Sequence, residues 1–144
     1  MTSGPASTEA LLRNTLERQP ALLAALTDVH QAAWAATDGE LLDLCQMRMA
    51  MLLGLQLEAA NLDAELIASL RNWSTSRRFS SVQRACLAFT EQFVIDVASI
   101  TDDHVAAVAV ELGDDGLVNF VNALLVVEQR QRMHLMWNRL ESAS

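Results

Sequence analysis

The sequence predicts an all-α domain, on three observations. Apolar residues recur at helical spacing along most of the 144 residues, and no run of alternating β-branched residues indicates a strand. The only prolines are Pro5 and Pro20, so nothing after Pro20 forces a helix to break. The five glycines lie close to points where helical patterns start or stop. We expect about six to seven helices in one domain over residues 1–144, with residues 1–6 as a disordered tail.

Apolar spacing and one proline predict the first two helices. Leu11, Leu12 and Leu16 share one face of a first helix over residues 7–18. Pro20 stands where the first turn of a second helix begins, a favoured position because the N–H that proline lacks would be unpaired there. This second helix is expected to end near Ala36.

A capping box and a glycine delimit the third helix. In the segment TDGE, the Thr37 hydroxyl is expected to cap the helix while Glu40 reaches back to the chain before it. Gly54 has no Cβ and therefore suits the left-handed conformation that commonly ends a helix.

Polar caps also begin the next two helices. Asp63 is expected to cap a helix that ends near Trp73. Ser80 and Gln83 form a second capping box for a helix that runs to about Val97.

The C-terminal third of the sequence predicts a short helix followed by a long one. Thr101 caps the short helix and Gly113 ends it. The last helix runs from Asp114 to about Glu141, about 40 Å at 1.5 Å per residue. Either it spans the whole subunit or it is broken near residues 128–132, where charges concentrate.

Charge and composition exclude several classes of function. The net charge is −8 and all ten basic residues are arginine, so the surface repels phosphate backbones and nucleic-acid binding is not expected. The first residues form no signal peptide and no apolar run approaches the length of a membrane span, which favours a soluble cytoplasmic protein with no membrane partner. Apolar residues make up 51% of the chain, which favours a homo-oligomer.

Several segments in order carry a family resemblance. They are residues 43–54 (DLCQMRMAMLLG), 61–73 (NLDAELIASLRNW), 83–91 (QRACLAFTE), 101–105 (TDDHV) and 117–119 (LVN). Together they resemble the carboxymuconolactone decarboxylase and alkylhydroperoxidase D-like (AhpD-like) family over roughly residues 20–140. The resemblance implies an AhpD-like helical fold, peroxidase or decarboxylase activity, no cofactor, and homo-oligomers that are commonly trimers or hexamers.

The chain departs from the family where the redox chemistry belongs. The family motif CxxC is replaced by Leu55 and Glu58, and its following histidine by Leu62, or by Asn61 in a shifted alignment. Residues 54–63 also form a shorter segment than the family has. Peroxidase chemistry needs an attacking and a resolving thiol, and neither replacement supplies one. We therefore expect no redox activity.

The two cysteines lie elsewhere, in apolar helical contexts. Cys45 and Cys86 form no CxxC motif and are interpreted as small buried hydrophobic residues. The alternative is a functional pair, if their helices pack together. Burial would raise their thiol pKa values and oppose such a role.

Asp43 and Arg48 are the candidate catalytic residues. By the resemblance, Asp43 aligns with the carboxylate that the family places about twelve residues before its first cysteine. In a cofactor-free decarboxylase, Asp43 would act as general acid or base and Arg48 would hold a carboxylate. The alternative is a structural ion pair or a solvated edge.

The candidate ligand-binding residues are Trp34, Asn122, Glu128 and His134. In this fold the last helix helps to wall the pocket, which implies that Asn122 and Glu128 face it; the alternative is a polar network at an interface. His134 is a candidate proton shuttle, and the alternative is a surface or interface histidine. No histidine pair has metal-ligand spacing, so no metal site is expected.

Three functions remain open from the sequence. The first is a family-like protein without redox activity that binds a small apolar or carboxylated molecule. The second is a cofactor-free decarboxylase that uses Asp43 and Arg48. The third is a non-catalytic helical partner protein without a pocket. A cavity lined by Asp43, Arg48 and Trp34 would favour the first two.

Overall fold

The computed structural model describes residues 13–58 and 61–142, and these residues form helices and connecting turns without any strand. The helices are α1 (Pro20–Ala36), α2 (Gly39–Leu53), α3 (Ala64–Leu70), α4 (Ser81–Ile95), a 3₁₀ turn (Val97–Ser99) and α5 (Asp102–Ser142). The predicted all-α class is therefore confirmed. The expected tail over residues 1–6 and most of the expected first helix lie outside the described residues, of which 13–16 are helical.

The beginning of α2 differs from the prediction by one residue. Asp38, and not Thr37, caps the helix, because the Asp38 Oδ1 atom accepts a hydrogen bond from the Leu41 N–H at 2.9 Å. The Thr37 hydroxyl instead donates to the backbone carbonyl of Asn119 at 3.4 Å, a contact between distant parts of the chain. At the other end Gly54 has φ 73° and ψ 26°, the left-handed cap that was predicted.

The polar caps of α3 and α4 are confirmed. The Asp63 carboxylate accepts a hydrogen bond from the Glu65 N–H. The Ser80 hydroxyl accepts from the Gln83 N–H, and the Gln83 side chain accepts from the Ser80 N–H, so the predicted capping box is complete.

Both helices end earlier than predicted. Helix α3 ends at Leu70, and turns follow it up to Thr75. The Arg84 guanidinium stabilises these turns by donating to the backbone carbonyls of Trp73, Ser74 and Ser76 at 2.7–3.2 Å. Helix α4 ends at Ile95 because the Asp96 carboxylate caps the 3₁₀ turn through the Ala98 N–H.

Helix α5 consists of two arms that meet at Gly113. Thr101 begins the first arm as predicted, since its hydroxyl accepts a hydrogen bond from the His104 N–H at 3.3 Å. Gly113 interrupts the helix with φ 77° and ψ 171°. The second arm, residues 114–142, continues through residues 128–132, so the predicted alternative of a break there is wrong. The charges are compatible with an unbroken helix because Arg132 and Glu128 pair one turn apart at 2.5 Å.

The core lies between α2, α4 and the second arm of α5. Helix α2 is the most buried element, and Phe120 of α5 packs edge-on against Phe89 of α4 with ring centroids 6.1 Å apart. Helix α1 packs against α5 and has no fully buried residue. This loose packing leaves a cleft between α1, α2 and α5. In the described parts of the chain, no helix is long and apolar enough to cross a bilayer.

Candidate functional site

The candidate site is the cleft between α1, α2 and α5. Its volume is about 220 Å³, smaller than the roughly 300–1,000 Å³ of sites for drug-sized ligands. Seven residues line it: His30, Trp34, Gln46, Leu57, Val127, Arg130 and Gln131. The cleft therefore has room for a compact ligand and combines apolar walls with several polar groups.

Gln131 provides a hydrogen-bond acceptor in this cleft. Its side chain is buried, 3% exposed, and its Nε2 atom donates to the backbone carbonyl of Gln46 at 2.9 Å. Because a carbonyl can only accept, this contact fixes which end of the amide faces α2. The Oε1 atom is buried and has no hydrogen-bond partner among the described residues. A buried acceptor without a partner costs free energy, and a bound ligand would recover it.

Trp34 provides a hydrogen-bond donor. Its indole Nε1 atom is buried without a hydrogen-bond partner in the described parts of the chain. The indole lies one turn after His30, and the two ring centroids are 6.0 Å apart. Trp34 is the one candidate ligand-binding residue from the sequence that lines this cleft.

The remaining walls define what the cleft can bind. Leu57 and Val127 contribute apolar surface, and the Arg130 side chain adds positive charge. The indole N–H matches an acceptor and the Gln131 oxygen matches a donor. The arrangement therefore fits a polar group that both accepts and donates, carried on a compact apolar body.

Arg48, a candidate catalytic residue, contacts Glu91 of α4. The Arg48 Nε and Nη2 atoms lie 2.8 and 2.6 Å from the Glu91 Oε1 atom. The Trp73 indole N–H donates to the same oxygen at 2.7 Å. This partly buried network joins α2 and α4 to the turn after α3, which is the kind of structural ion pair that the sequence left as an alternative.

Asp43, the other candidate catalytic residue, has a different partner. Its carboxylate is partly buried and hydrogen bonds with the Asn61 side chain. Burial raises the pKa of Asp43 above its ordinary value, and the bond with Asn61 opposes that shift. Neither Asp43 nor Arg48 is among the residues that line the cleft beside Trp34.

The other candidate ligand-binding residues lie on different faces of α5. Asn122 is exposed, and Glu128 pairs with Arg132 beside an open groove on the outer side of the helix. His134 is buried, at 5% exposure, so it is not a surface histidine, and its Nδ1 atom has no hydrogen-bond partner in the described ranges. Burial lowers the pKa of His134, although Glu141 opposes that effect.

The two thiols are buried in the core. Cys45 and Cys86 are both fully inaccessible and unbridged. Burial raises the pKa of Cys45 to about 12, and it also raises the pKa of Cys86, with a further contribution from Cys45 itself. Nucleophilic attack requires a thiolate, so these thiols are held in their unreactive form.

Sequence reasoning missed the two residues that matter most for these sites. Gln131 occupies the inner face of α5 in register with Phe120, Leu124 and Val127, and a glutamine at an apolar-spaced position was the available signal. Glu91, the partner of Arg48, lies 43 residues away in sequence, so no local pattern connects them. In residues 13–58 and 61–142, no group of three or more histidine, cysteine or acidic side chains is placed to hold a metal ion.

No protein-family model and no curated protein matches the sequence. A solved structure from Agrobacterium tumefaciens, of a protein of unknown function described as a candidate AhpD antioxidant defence protein, matches with a TM-score of 0.77. The match covers 87% of this chain and 93% of that chain, at 14% sequence identity. The architecture implied by the sequence resemblance is thus confirmed: this chain has the AhpD-like helical fold.

Proposed function

We propose that this protein binds a small molecule in the cleft between α1, α2 and α5 and performs no thiol redox chemistry. The observation that carries the proposal is that Trp34 and Gln131 line one cleft and that each has a buried polar atom, Nε1 and Oε1 respectively, without a partner among the described residues. Both atoms lose their hydration on folding, and a ligand would replace it.

Two observations support the redox-inactive part of the proposal. Leu55 and Glu58 stand where the family resemblance places its redox cysteines, and neither side chain can form a disulfide. The thiols that remain, Cys45 and Cys86, are buried and have raised pKa values. A peroxide molecule would therefore find no accessible thiolate.

The polar atoms of the cleft define the class of ligand. A hydroxyl or a carboxamide can accept from the Trp34 indole and donate to the Gln131 oxygen. A bare carboxylate can accept from Trp34 but would face the Gln131 oxygen as a second acceptor. We therefore infer a compact, largely apolar molecule with one hydroxyl or carboxamide group, which Leu57 and Val127 would contact through its apolar part.

Benzamide, benzoate and toluene are suitable probes, because they share a ring and differ in the polar group. The chain has three tryptophans, so a ¹H–¹⁵N spectrum shows three indole signals, and a Trp34→Phe variant identifies that of Trp34. We expect benzamide to shift the Trp34 signal with a dissociation constant on the order of 1 mM, and benzoate and toluene to bind about ten-fold more weakly.

A matched pair of variants tests whether Gln131 is responsible. Gln131→Leu removes the acceptor and should weaken benzamide binding about ten-fold. Gln129→Leu makes the same change two residues earlier, at an exposed position that does not line the cleft, and should leave binding unchanged. Equal shifts of the Trp34 signal by all three probes, or no shift by any, would overturn the proposed ligand site.

A further inference from the structure

The second arm of α5 carries two opposite seams at heptad spacing. The inner seam is buried against the core, at residues 120, 124, 127, 131 and 134. The outer seam has the same spacing, shifted by two residues toward the N-terminus. A shift of two residues rotates a position by about 200° around the helix axis, so the two seams lie on opposite sides. The outer seam consists of Asp115, Val118, Asn122, Leu125, Gln129, Arg132, Met136 and Arg139, and all eight residues are exposed.

The spacing of the outer seam is that of a helix-pairing surface. Its residues follow one another at alternating intervals of three and four, which is the repeat that keeps one seam facing a partner helix. Three large apolar side chains in the seam are more than half exposed: Val118 at 58%, Leu125 at 57% and Met136 at 51%. Such exposure is costly in water and is relieved when a second helix covers the seam.

The seam is also symmetric about its centre at residue 127. When a second α5 arm lies antiparallel across it, each seam residue meets another seam residue. The four pairs are Asp115 with Arg139, Val118 with Met136, Asn122 with Arg132, and Leu125 with Gln129. Acidic Asp115 thus lies opposite basic Arg139, and exposed apolar Val118 lies opposite exposed apolar Met136. This self-complementarity is what a twofold interface requires.

We propose that the outer seam of α5 is the interface with a second copy of this chain, in which the two α5 arms pair antiparallel about a twofold axis near residue 127. In antiparallel coiled coils the first apolar heptad position faces the fourth, and all four pairs obey this rule. A parallel arrangement would place Asp115 beside Asp115 and Arg139 beside Arg139, so like charges oppose it.

The neighbouring surface fits the same partner. An open groove of about 420 Å³ runs along the seam and is lined by Leu125, Glu128, Gln129, Arg132, Met133 and Met136. In the antiparallel pair, the partner's Val118 and Leu125 side chains lie over this groove. Helix α1 packs beside the seam and exposes Leu22 and Val29 at 43% and 41%, which extends the apolar surface available to the partner.

Cysteine cross-linking tests the register of the pair directly. Residues 118 and 136 lie about 27 Å apart along one helix, so a cross-link between them must join two chains. A mixture of the Val118→Cys and Met136→Cys proteins should form a disulfide-linked dimer under mild oxidation. Neither protein alone should do so, because each new cysteine then lies far from its own copy. Cross-linking of either single variant with itself would overturn the antiparallel register.

A charge exchange tests the proposed ion pairs. Asp115→Arg alone, or Arg139→Asp alone, places two like charges opposite each other at both symmetry-related pairs. Either variant should weaken dimer formation about ten-fold. The double variant Asp115→Arg/Arg139→Asp restores opposite charges and should recover the affinity of the unaltered protein. Sedimentation equilibrium measures these constants. Additive weakening in the double variant would contradict the pairing.

An apolar-to-charged change provides the final control. Leu125→Glu places a charge at the centre of the seam and should shift the protein from about twice 15.8 kDa to the monomer mass. Val110→Glu makes an equivalent change on the first arm of α5, at a side chain that is 84% exposed and lies outside the seam, and should leave the dimer intact. A monomeric unaltered protein at micromolar concentration, or a Leu125→Glu protein that remains dimeric, would overturn the proposal.

Discussion

A single carboxylate oxygen of Glu91, Oε1, accepts hydrogen bonds from the Arg48 Nε–H and the Trp73 indole N–H, and the Arg48 Nη2 atom lies 2.6 Å from the same oxygen. The Arg48 and Glu91 side chains are only 16% and 23% exposed. The largely apolar helix α2 can hold the charge of Arg48 because Glu91 of α4 supplies the opposite charge.

We predict that Glu91→Gln destabilises the protein by about 2 kcal/mol, because Arg48 then keeps its charge without an anionic partner. Urea unfolding should show a lower midpoint with an unchanged slope. Glu65→Gln is the matched control, since the Glu65 pair with Arg78 is exposed and should contribute less than about 0.5 kcal/mol. Equal losses in both variants would mean that the Arg48 network contributes nothing specific.

We predict that Asp43→Asn stabilises the protein at pH 7. Burial raises the folded-state pKa of Asp43, so the folded protein holds this proton more tightly than the unfolded chain does. The stability from the protonated form is present at low pH and is lost as pH rises through the folded pKa. Asparagine stays neutral and avoids that loss. Urea midpoints at pH 4 and pH 7 measure the difference, and a variant that is less stable at pH 7 would contradict it.

For His134 the expected pH dependence has the opposite sign. Burial lowers its pKa below the ordinary value of 6.5, so the folded protein binds this proton less tightly than the unfolded chain. The stability that His134 contributes is therefore present above pH 6.5 and is lost as pH falls through the folded pKa. The His134→Gln protein should lose less stability than the unaltered protein between pH 7 and pH 5. Parallel curves for the two proteins would show that His134 does not titrate in this way.

We predict that the two thiols do not react with reagents in solution while the protein is folded. We expect Cys45 and Cys86 to react with a chromogenic disulfide reagent only after unfolding in urea, when two thiols per chain become available. Because burial raises the pKa of Cys45 from 9.0 to about 12, the folded protein should also lose stability as pH rises above 9. Rapid labelling of the folded protein, or hydroperoxide turnover that alkylation abolishes, would contradict this.

Gly113 and Gly54 should differ in their tolerance of a side chain. Gly54 has a left-handed conformation that other residues adopt at moderate cost, whereas Gly113 has ψ 171° at positive φ, a region that is almost exclusive to glycine. We predict a loss of about 1 kcal/mol for Gly54→Ala and about 2–3 kcal/mol for Gly113→Ala. Urea unfolding of both variants measures the order, and the reverse order would contradict the assigned conformations.

Local signals in the sequence predicted the fold well. The caps at Asp63, Ser80 and Thr101 and the glycines at 54 and 113 depend on neighbouring residues only, so their chemistry is visible in the sequence. That Asp38 rather than Thr37 caps α2 was not predictable, because the Thr37 hydroxyl hydrogen bonds with a backbone carbonyl 82 residues away in the sequence.

The candidate site was less predictable because it depends on packing. Residues of the last helix and Trp34 of α1 line the cleft together. Which residues of α5 face this cleft, however, depends on which side of the helix is buried. Gln131 lies on that side, whereas Asn122 lies on the opposite one. Likewise, the raised pKa of Asp43 reflects burial, which no spacing of residues reveals.

The segment after α2 limits what two introduced cysteines could do there. Leu55 is buried, Glu58 is exposed, and residues 55–58 are not helical, so cysteines at these two positions would not share one helical turn. Position 55 also follows the C-terminus of α2, whose partial negative charge disfavours a thiolate. Cysteine substitutions at positions 55 and 58 alone would therefore not place two thiols on one helical turn; that arrangement would require the insertion of an additional helical turn after α2.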